Sequence, residues 1–427
     1  MTLKRIFILA LICLFSFGLM ISCAEKPDVS EKVAELTQKN AELTEKVAEL
    51  TQKIAELTEK AAIAAGVYKV GAVFAVTGGA SFLGDPEKKT VKMLVEEINK
   101  AGGINGHKLE LIVYDTEGDA TKCTLHVKRL ITQDKVCAII GPSRSGTSLA
   151  VVPLAEKHQM PLISCAASYK IVTDEKTGKQ YKWVFKVPQS DSMAVEALYN
   201  YLKKRGISKI AVMSGTTGFG KSGREELIRL APEYGMTVVA EETFGFKDTD
   251  MMAQLTKIKG IAPQAIISWS IGPTQVLVLR NWKDLGMTNI PFFQSHGFGS
   301  RKNIKMAAGA AEGVIAPLGA CNTPEALPAD HPQKMVTMKY NKNYMAKYNE
   351  SVASFGGHAW DSLMLVVNAL KTVGCDRAAI RDYIENTTGF VGQHGVFNFS
   401  PDDHNGLTWE KSFNMIVVKD GDWAIVD

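Results

Sequence analysis

"SKIAVMSGTTGFGKSGREELIRL" runs from Ser208 to Leu230 and decides how the rest of the chain is read. Its first third is a short apolar, β-rich run. Its last third carries apolar residues at helical spacing, and a glycine-rich turn joins the two. Within that turn Gly215–Ser222 fit G-x-x-x-x-G-K-[ST], the spacing of a phosphate-cradling loop, with Lys221 on the phosphates and Ser222 on magnesium. The bland reading is a tight glycine turn between a strand and a helix. A nucleotide hydrolase needs a second strand that ends in an acidic metal ligand. The strand-like runs that follow, "AIISWS" (265–270) and "PFFQS" (291–295), both end in serine.

The N-terminus argues in the same direction. Lys4 and Arg5 precede the uncharged apolar stretch Ile6–Ser22, the pattern of a removable export signal. That stretch is at the lower length limit for a membrane span, so a retained anchor helix is the alternative. The ending "LMISC" resembles the bacterial lipobox, with Met20 where Leu is usual, and implies a signal over 1–22 and lipidation of Cys23. A protein sent out of the cell meets little ATP, which weakens the hydrolase reading further.

Residues 23–66 read as a lipidated cysteine followed by a linker. Val33, Asn40, Val47, Ile54 and Ala61 fall at position a of a heptad, and Leu36, Leu43, Leu50 and Leu57 fall at position d. "VAELTQKNAELTEK" is followed directly by "VAELTQKIAELTEK", an internal repeat. β-Branched residues at a, leucine at d and one Asn at a favour a parallel two-stranded coiled coil, and a trimer fits the same seam. Glu35, Glu42, Glu49 and Glu56 each precede a lysine by four residues, which also supports a solvated single helix. Asp28 and Glu31 form a candidate capping box.

From Val67 onward the chain is long enough for two lobes with separate cores. Its composition, 46% hydrophobic and 22% charged with a formal net charge of +4, is ordinary for a globular protein and gives no footprint for nucleic acid. Of seven cysteines, Cys13 leaves with the signal and Cys23 is the lipidation site; Cys123, Cys137, Cys165, Cys321 and Cys375 remain. Five is odd and C-x-x-C is absent from the sequence, so no disulfide framework can be read and at least one thiol should be free. H-E-x-x-H is also absent, and "SPDDHNG" (400–406) reads as a polar turn, so neither metal nor cofactor is expected.

Strand-like and helical runs alternate through the whole globular part. "YKVGAVFAV", "KKTVKMLVEEINKAG", "HKLELIVYD", "TKCTLHVKRLITQ", "VCAIIG", "SLAVVPLAEKHQ" and "PLISCA" make one series. A second series starts at "SMAVEALYNYLKKRG" and runs to "PFFQS". Such alternation predicts an α/β protein of two doubly wound parallel-sheet lobes, preceded by the N-terminal coiled-coil helix. Two further helices follow, and the segment 395–418 reads as hairpin-like. Ligands of such sheets bind beyond the carboxyl ends of the strands, here in a crevice between the lobes. The Gly- and Ser-rich loops "TGGASFLG", "GPSRSGTS", "SCAAS", "TTGFGKSG" and "SHGFGS" occupy those ends and suit a carboxylate or another small anion.

Those loops carry a resemblance. "VGAVFAVTGGASFLG", "NKAGGINGHKLELIVYD" and "AIIGPSRSGTSLAVVPLAEKHQMPLISCAAS", with "GFGKSG" and "GAAEGV", are similar to the leucine/isoleucine/valine-binding family of type I periplasmic binding proteins. The resemblance covers almost everything from Val67 to the C-terminus; the coiled coil lies outside it. It implies capture of a small solute between two lobes, delivery to an ATP-driven (ABC-type) permease in the membrane, and no catalysis. It also implies hinge crossings near Pro188, Pro317 and Gly395. The lobes would then be 67–188 with 318–395, and 189–317 with 396–427.

The resemblance also implies ligand positions. Ser145 matches the serine that holds a ligand carboxylate, Ala167 and Ser168 match the second loop, Asp191 an acidic residue past the first hinge, and Phe219 an aromatic cover. Each has a plainer role as turn, helix cap or core. One departure matters: where amino-acid binders carry a glutamate for the ligand ammonium, this chain has His296, a poor partner for a cation. Arg144 beside Ser145 adds a possible carboxylate clamp, and Trp269 either lines the pocket or packs in the core. The expected solute is a small carboxylate, with an amino acid left open through Asp191. A lipoprotein that senses the same ligand for a membrane receptor is the alternative to transport.

Overall fold

The computed structural model describes residues 27–64 and 66–426, the side chains of 27–29 and 54–64 excepted. The export signal, Cys23, the Asp28 side chain of the expected capping box and the seam side chains of Ile54, Leu57 and Ala61 lie outside the described residues. Two compact units result, one to Ala65 and one from Gly66.

Among its described residues the first unit holds one helix, Pro27–Ala64. Thr37, Thr44 and Thr51 each donate a hydroxyl hydrogen bond back to the carbonyl four residues earlier, and Glu35 pairs with Lys39 at 3.2 Å. Its heptad leucines are solvent-facing: Leu36, Leu43 and Leu50 are 54%, 59% and 59% exposed.

Among the described residues the second unit contains two large sheets and a two-stranded one. The first has the order β2-β1-β3-β4-β5, with β1 (Val67–Phe74), β2 (Lys108–Asp115), β3 (Ala138–Ile140), β4 (Leu162–Ser164) and β5 (Val184–Lys186), all parallel. β1 runs in register with β2 from Val67↔Lys108 to Phe74↔Asp115. The side chains show why these strands read as continuous apolar runs. Val70, Ala72 and Phe74 enter a core on one face, whereas Val73 enters a core on the other; Ala138 and Ile140 divide from Ile139 in the same way. A strand buried on both faces has no polar side to alternate with.

The second sheet follows the same rule. Its order is β14-β13-β10-β9-β8-β6-β7, where β6 is Lys209–Gly215, β7 Thr237–Phe244, β8 Ala265–Trp269, β9 Phe292–Gln294 and β10 Ile315–Leu318. Ala211 and Met213 of β6 face one core, and Ile210 and Val212 face the other. β13 (Asn414–Lys419) and β14 (Asp422–Ile425) add an antiparallel edge to β10. The hairpin expected over 395–418 is therefore not formed. β12 (Val396–Phe397) pairs instead with β11 (Phe390–Val391), and β13 pairs with β10, because Phe397, Phe399 and Leu407 are drawn into the first-lobe core.

Helix Ser354–Val373 joins that first core through Ala359, Leu363, Val366 and Leu370, far from the first five strands in sequence. Close by, Cys137 and Cys375 form a disulfide across 238 residues, leaving Cys123, Cys165 and Cys321 as buried free thiols. The chain leaves the first sheet after β5 and enters the second at β6. There Gln189 donates to the backbone carbonyls of His394 and Ser412. Lys186 donates to Pro188 O at 2.6 Å, Ser190 Oγ at 3.0 Å and Asn405 Oδ1 at 2.9 Å, so its buried ammonium is fully hydrogen-bonded.

Candidate functional site

Between the lobes, at the carboxyl ends of both sets of strands, lies a cavity of about 230 Å³. It brings together Arg144, Ser145, Ala167, Phe219 and His296 of the expected site residues. Ser168, Asp191 and Trp269 are not among its lining.

The first-lobe wall is made of hydrogen-bonding groups at a helix start. Helix Ser145–His158 opens with Ser145, Gly146 and Thr147 against the cavity, so its unpaired first-turn N–H groups and the positive end of its dipole are aimed there. Ser145 Oγ accepts from Ser168 N at 3.4 Å. Arg144 donates through Nη1 to Gly118 O at 3.1 Å and lies 5.7 Å from the centre of the Phe246 ring, which reaches over from the second lobe. Burial lowers the Arg144 pKa from its ordinary value, though a guanidinium stays charged. Ser143 accepts from Ala75 N and donates to Glu87, a fully buried carboxyl whose pKa burial raises well above its usual range. This pair braces the loop from beneath.

The second-lobe wall is made of rings. Phe219 sits in the first turn of helix Gly218–Leu230, its ring centre 5.2 Å from His296 and 6.0 Å from Trp269. His296 opens the short turn His296–Phe298 and is boxed by Phe219, Trp269 and Phe413. Neither of its ring nitrogens has a hydrogen-bond partner among the described residues. Burial, with the nearby cations Lys186 and His394, depresses its pKa to about 3, so the imidazole is neutral at physiological pH.

The remaining predicted residues stand behind these walls. Trp269 is fully buried in the second-lobe core, its indole packed so tightly on Gly223 that a Cβ there would collide with it. Ser168 spans the cleft, its hydroxyl 2.9 Å from Ser222 Oγ. Asp191 begins helix Asp191–Lys204, fully buried, with Ser222, Trp269 and Lys186 acting on its carboxyl. Burial pushes the Asp191 carboxyl up and the Lys186 ammonium down, bringing both towards neutrality.

Sequence reasoning passed over Phe355 and His358, which line the cavity from helix Ser354–Val373. His358 was hidden in an ordinary amphipathic pattern. Its ring lies 4.0 Å from that of His394, and burial, then His394, holds it neutral. His394 is itself cationic: burial opposes its charge, but Cys321 (Sγ at 3.6 Å from Nε2) and Asp361 (Oδ2 at 2.9 Å from Nδ1) raise its pKa to about 10.

The opening motif is explained by contact. A Cβ at Gly220 would collide with Gly215 O, one at Gly223 with Trp269, and one at Gly218 would lie 3.1 Å from Gly146 N across the cleft. Thr217 caps the helix by accepting from Gly220 N at 3.3 Å. Lys221 points to solvent. The glycines serve close approach, including approach of one lobe to the other.

Two doubly wound lobes with a small cavity between them define a two-lobed solute-binding protein. The comparisons place it further. The periplasmic binding protein family matches residues 67–421, so the chain belongs to that family, whose members are extracytoplasmic. A leucine-, isoleucine-, valine-, threonine- and alanine-binding protein of Pseudomonas aeruginosa is 24% identical over 365 residues, covering 84% of this chain and 94% of its own. An extracellular ligand-binding receptor of Rhodopseudomonas palustris HaA2 superposes with a TM-score of 0.77 at 29% identity, over 84% of this chain and 99% of its own. The branched-chain amino acid transporter substrate-binding protein of Streptococcus pneumoniae, solved with isoleucine, gives 0.73 at 27%, over 84% and 99%. Among the described residues, no helix is long and apolar enough to cross a membrane.

Proposed function

We propose that this protein is the solute-capturing lipoprotein of an ATP-driven importer and that its solute is a small carboxylate without an ammonium group. One observation carries the ligand class. The cavity offers a guanidinium, a helix N-terminus and two neutral imidazoles, while no carboxylate lines it among the described residues. An ammonium placed there would be desolvated without a counter-charge, which is costly. The relatives' names favour the competing solute, a branched-chain amino acid; it would have to recruit Asp191 from behind the wall.

Cys23 is proposed as the lipid anchor and the heptad helix as the oligomerising spacer above it. The exposed leucine row of that helix supports pairing with a second copy of itself. Its 38 residues span on the order of 55 Å at the helical rise. Size-exclusion of the chain with and without residues 28–62 tests this: equal monomer masses would remove the oligomer.

The ligand class is tested by thermal shift on the full chain with aliphatic and aromatic monocarboxylates, branched-chain amino acids, and ATP–magnesium. Ligand at a hundred times its Kd stabilises by about 2.7 kcal/mol. The acids should raise Tm and ATP–magnesium should not. A rise with free amino acids alone would sink the acid reading.

A further inference from the structure

One aromatic ring meets the charged wall without lining the cavity. Phe246 follows the end of β7, half-buried, and its ring centre lies 5.7 Å from the Arg144 guanidinium. Its loop is braced by its own residues and by the next helix. Gly245 N donates to Asp248 Oδ2 at 2.7 Å, Asp248 N to Gly245 O at 3.2 Å, and Met251 N to Asn281 Oδ1 at 2.8 Å. The ring sits between two glycines, one from each lobe. A Cβ at Gly79, in the turn after β1, would lie 3.1 Å from Phe246 Cε1, and one at Gly272, after β8, would lie 3.0 Å from Cε2. Phe82 of the first lobe meets Gly272 as well, with its Cε1 2.9 Å from that Cβ position. These contacts are closer than side chains ordinarily pack, so the glycines make room for rings that cross the cleft in both directions.

Arg144 has a close seat within its own lobe too. A Cβ at Gly118 would lie 3.0 Å from Arg144 Nη1 and 3.3 Å from Cδ, and the Gly118 carbonyl accepts from Nη1 at 3.1 Å. Among the described residues no carboxylate pairs with Arg144. A long side chain tied at one N–H keeps rotamer freedom, and ordering it for a ligand costs entropy. A ring beside the guanidinium attracts its charge and sheds water from it, yet leaves the other N–H groups for a carboxylate. Arg144 belongs to the first lobe and Phe246 to the second, so this part of the seat exists only while the lobes are together.

We infer that Phe246 is a positioning residue for solute capture: closure of the second lobe brings its ring onto Arg144, and the ring fixes the guanidinium for the solute carboxylate. This rests on the reading of Arg144 as the carboxylate's partner. It makes recognition of the charge conditional on closure, through a side chain outside the cavity. A Phe246 that only packs on Gly79 would act on every solute alike and owe nothing to Arg144.

Isothermal titration calorimetry on the full chain tests it with acids and their amides: 4-methylpentanoate and 4-methylpentanamide, benzoate and benzamide, leucine and leucinamide. For whichever acid binds, F246A should weaken it roughly tenfold and weaken its amide by less than about threefold. F246L, which keeps apolar bulk without a ring, should lose most of the same affinity, and F246Y should stay within about twofold of the natural protein. In an R144L background F246A should cost the acid less than about twofold, because the group it positions is gone. The same loss in both backgrounds, equal losses for acid and amide, no loss in F246A, or F246L binding as well as the natural protein would overturn the inference and leave the carboxylate reading standing. Binding of leucine alone would overturn the ammonium-free solute, while the F246A and R144L cycle on leucine still decides the role of Phe246. Acid affinity unmoved by R144L, or no binding in any pair, would sink both.

Discussion

The two walls of the cleft come from lobes of the same design, yet they are built from opposite materials. The first lobe presents backbone N–H groups, hydroxyls and Arg144 at the start of helix Ser145–His158. The second presents the Phe219 ring and the neutral His296 among aromatics. Hydrogen-bond donors fixed on a helix end are pre-organised and give a charged group its place. Rings give contact area and exclude water. The difference teaches that one wall selects the charge of the solute and the other its body, so their variants should fail in different ways.

The largest effect is expected at the charged wall. Arg144→Leu removes a charge-assisted partner of the carboxylate, a loss of about 1.5–3 kcal/mol or roughly 10- to 100-fold in affinity. It should weaken every acid alike. Phe219→Ala removes ring contact instead, and should weaken large acids more than small ones, by roughly tenfold at most. Calorimetry across a length series of acids separates the two. A uniform loss in Phe219→Ala, or a length-dependent loss in Arg144→Leu, would break the division of labour between the walls.

The histidines sharpen the comparison through pH. His296, with its pKa depressed to about 3, stays neutral while the unfolded chain takes a proton near its ordinary value. The unfolded state then binds more protons, so stability is lost as pH falls from about 6.5 towards 3. His394, on the first-lobe side, is the reverse: with its pKa raised to about 10, its contribution is full below pH 6.5 and is lost as pH rises towards 10. Each limb has a slope of at most about 1.4 kcal/mol per pH unit for one proton. Denaturant melts across pH should therefore show His296→Phe flattening the acid limb and His394→Gln flattening the alkaline one. An acid limb unchanged in His296→Phe would mean that His296 is not held neutral.

Much of the fold was legible because burial on both sheet faces writes itself into sequence as apolar runs. Val70–Phe74 and Ile210–Met213 are of this kind. Helix Ser81–Lys100 starts seven residues before the run "KKTVKMLVEEINKAG" that reads as helical. Its first turn is held from outside, where Gly84 lies directly against the Ala75 backbone. His358 and the Cys137–Cys375 bridge were not legible at all. Each depends on helix Ser354–Val373 and the residues just beyond it folding back onto strands more than two hundred residues earlier, and local patterning carries no trace of that return.

The smallest effect is expected where the sequence signal was loudest. Gly215–Ser222 spell a phosphate loop, and a phosphate loop spends its lysine on the ligand. Here Lys221 faces solvent, Ser222 is tied to Ser168, and the glycines stand where a Cβ would meet Gly215 O, Trp269 or the opposite lobe. If those contacts are the reason for the motif, Lys221→Ala should change solute affinity by less than about twofold, the size of an exposed surface substitution. Gly218→Val should nonetheless impair binding, because its side chain would enter the narrow space before Gly146 that the lobes share when closed. A large loss in Lys221→Ala, or none in Gly218→Val, would return the segment to its first reading as an anion cradle.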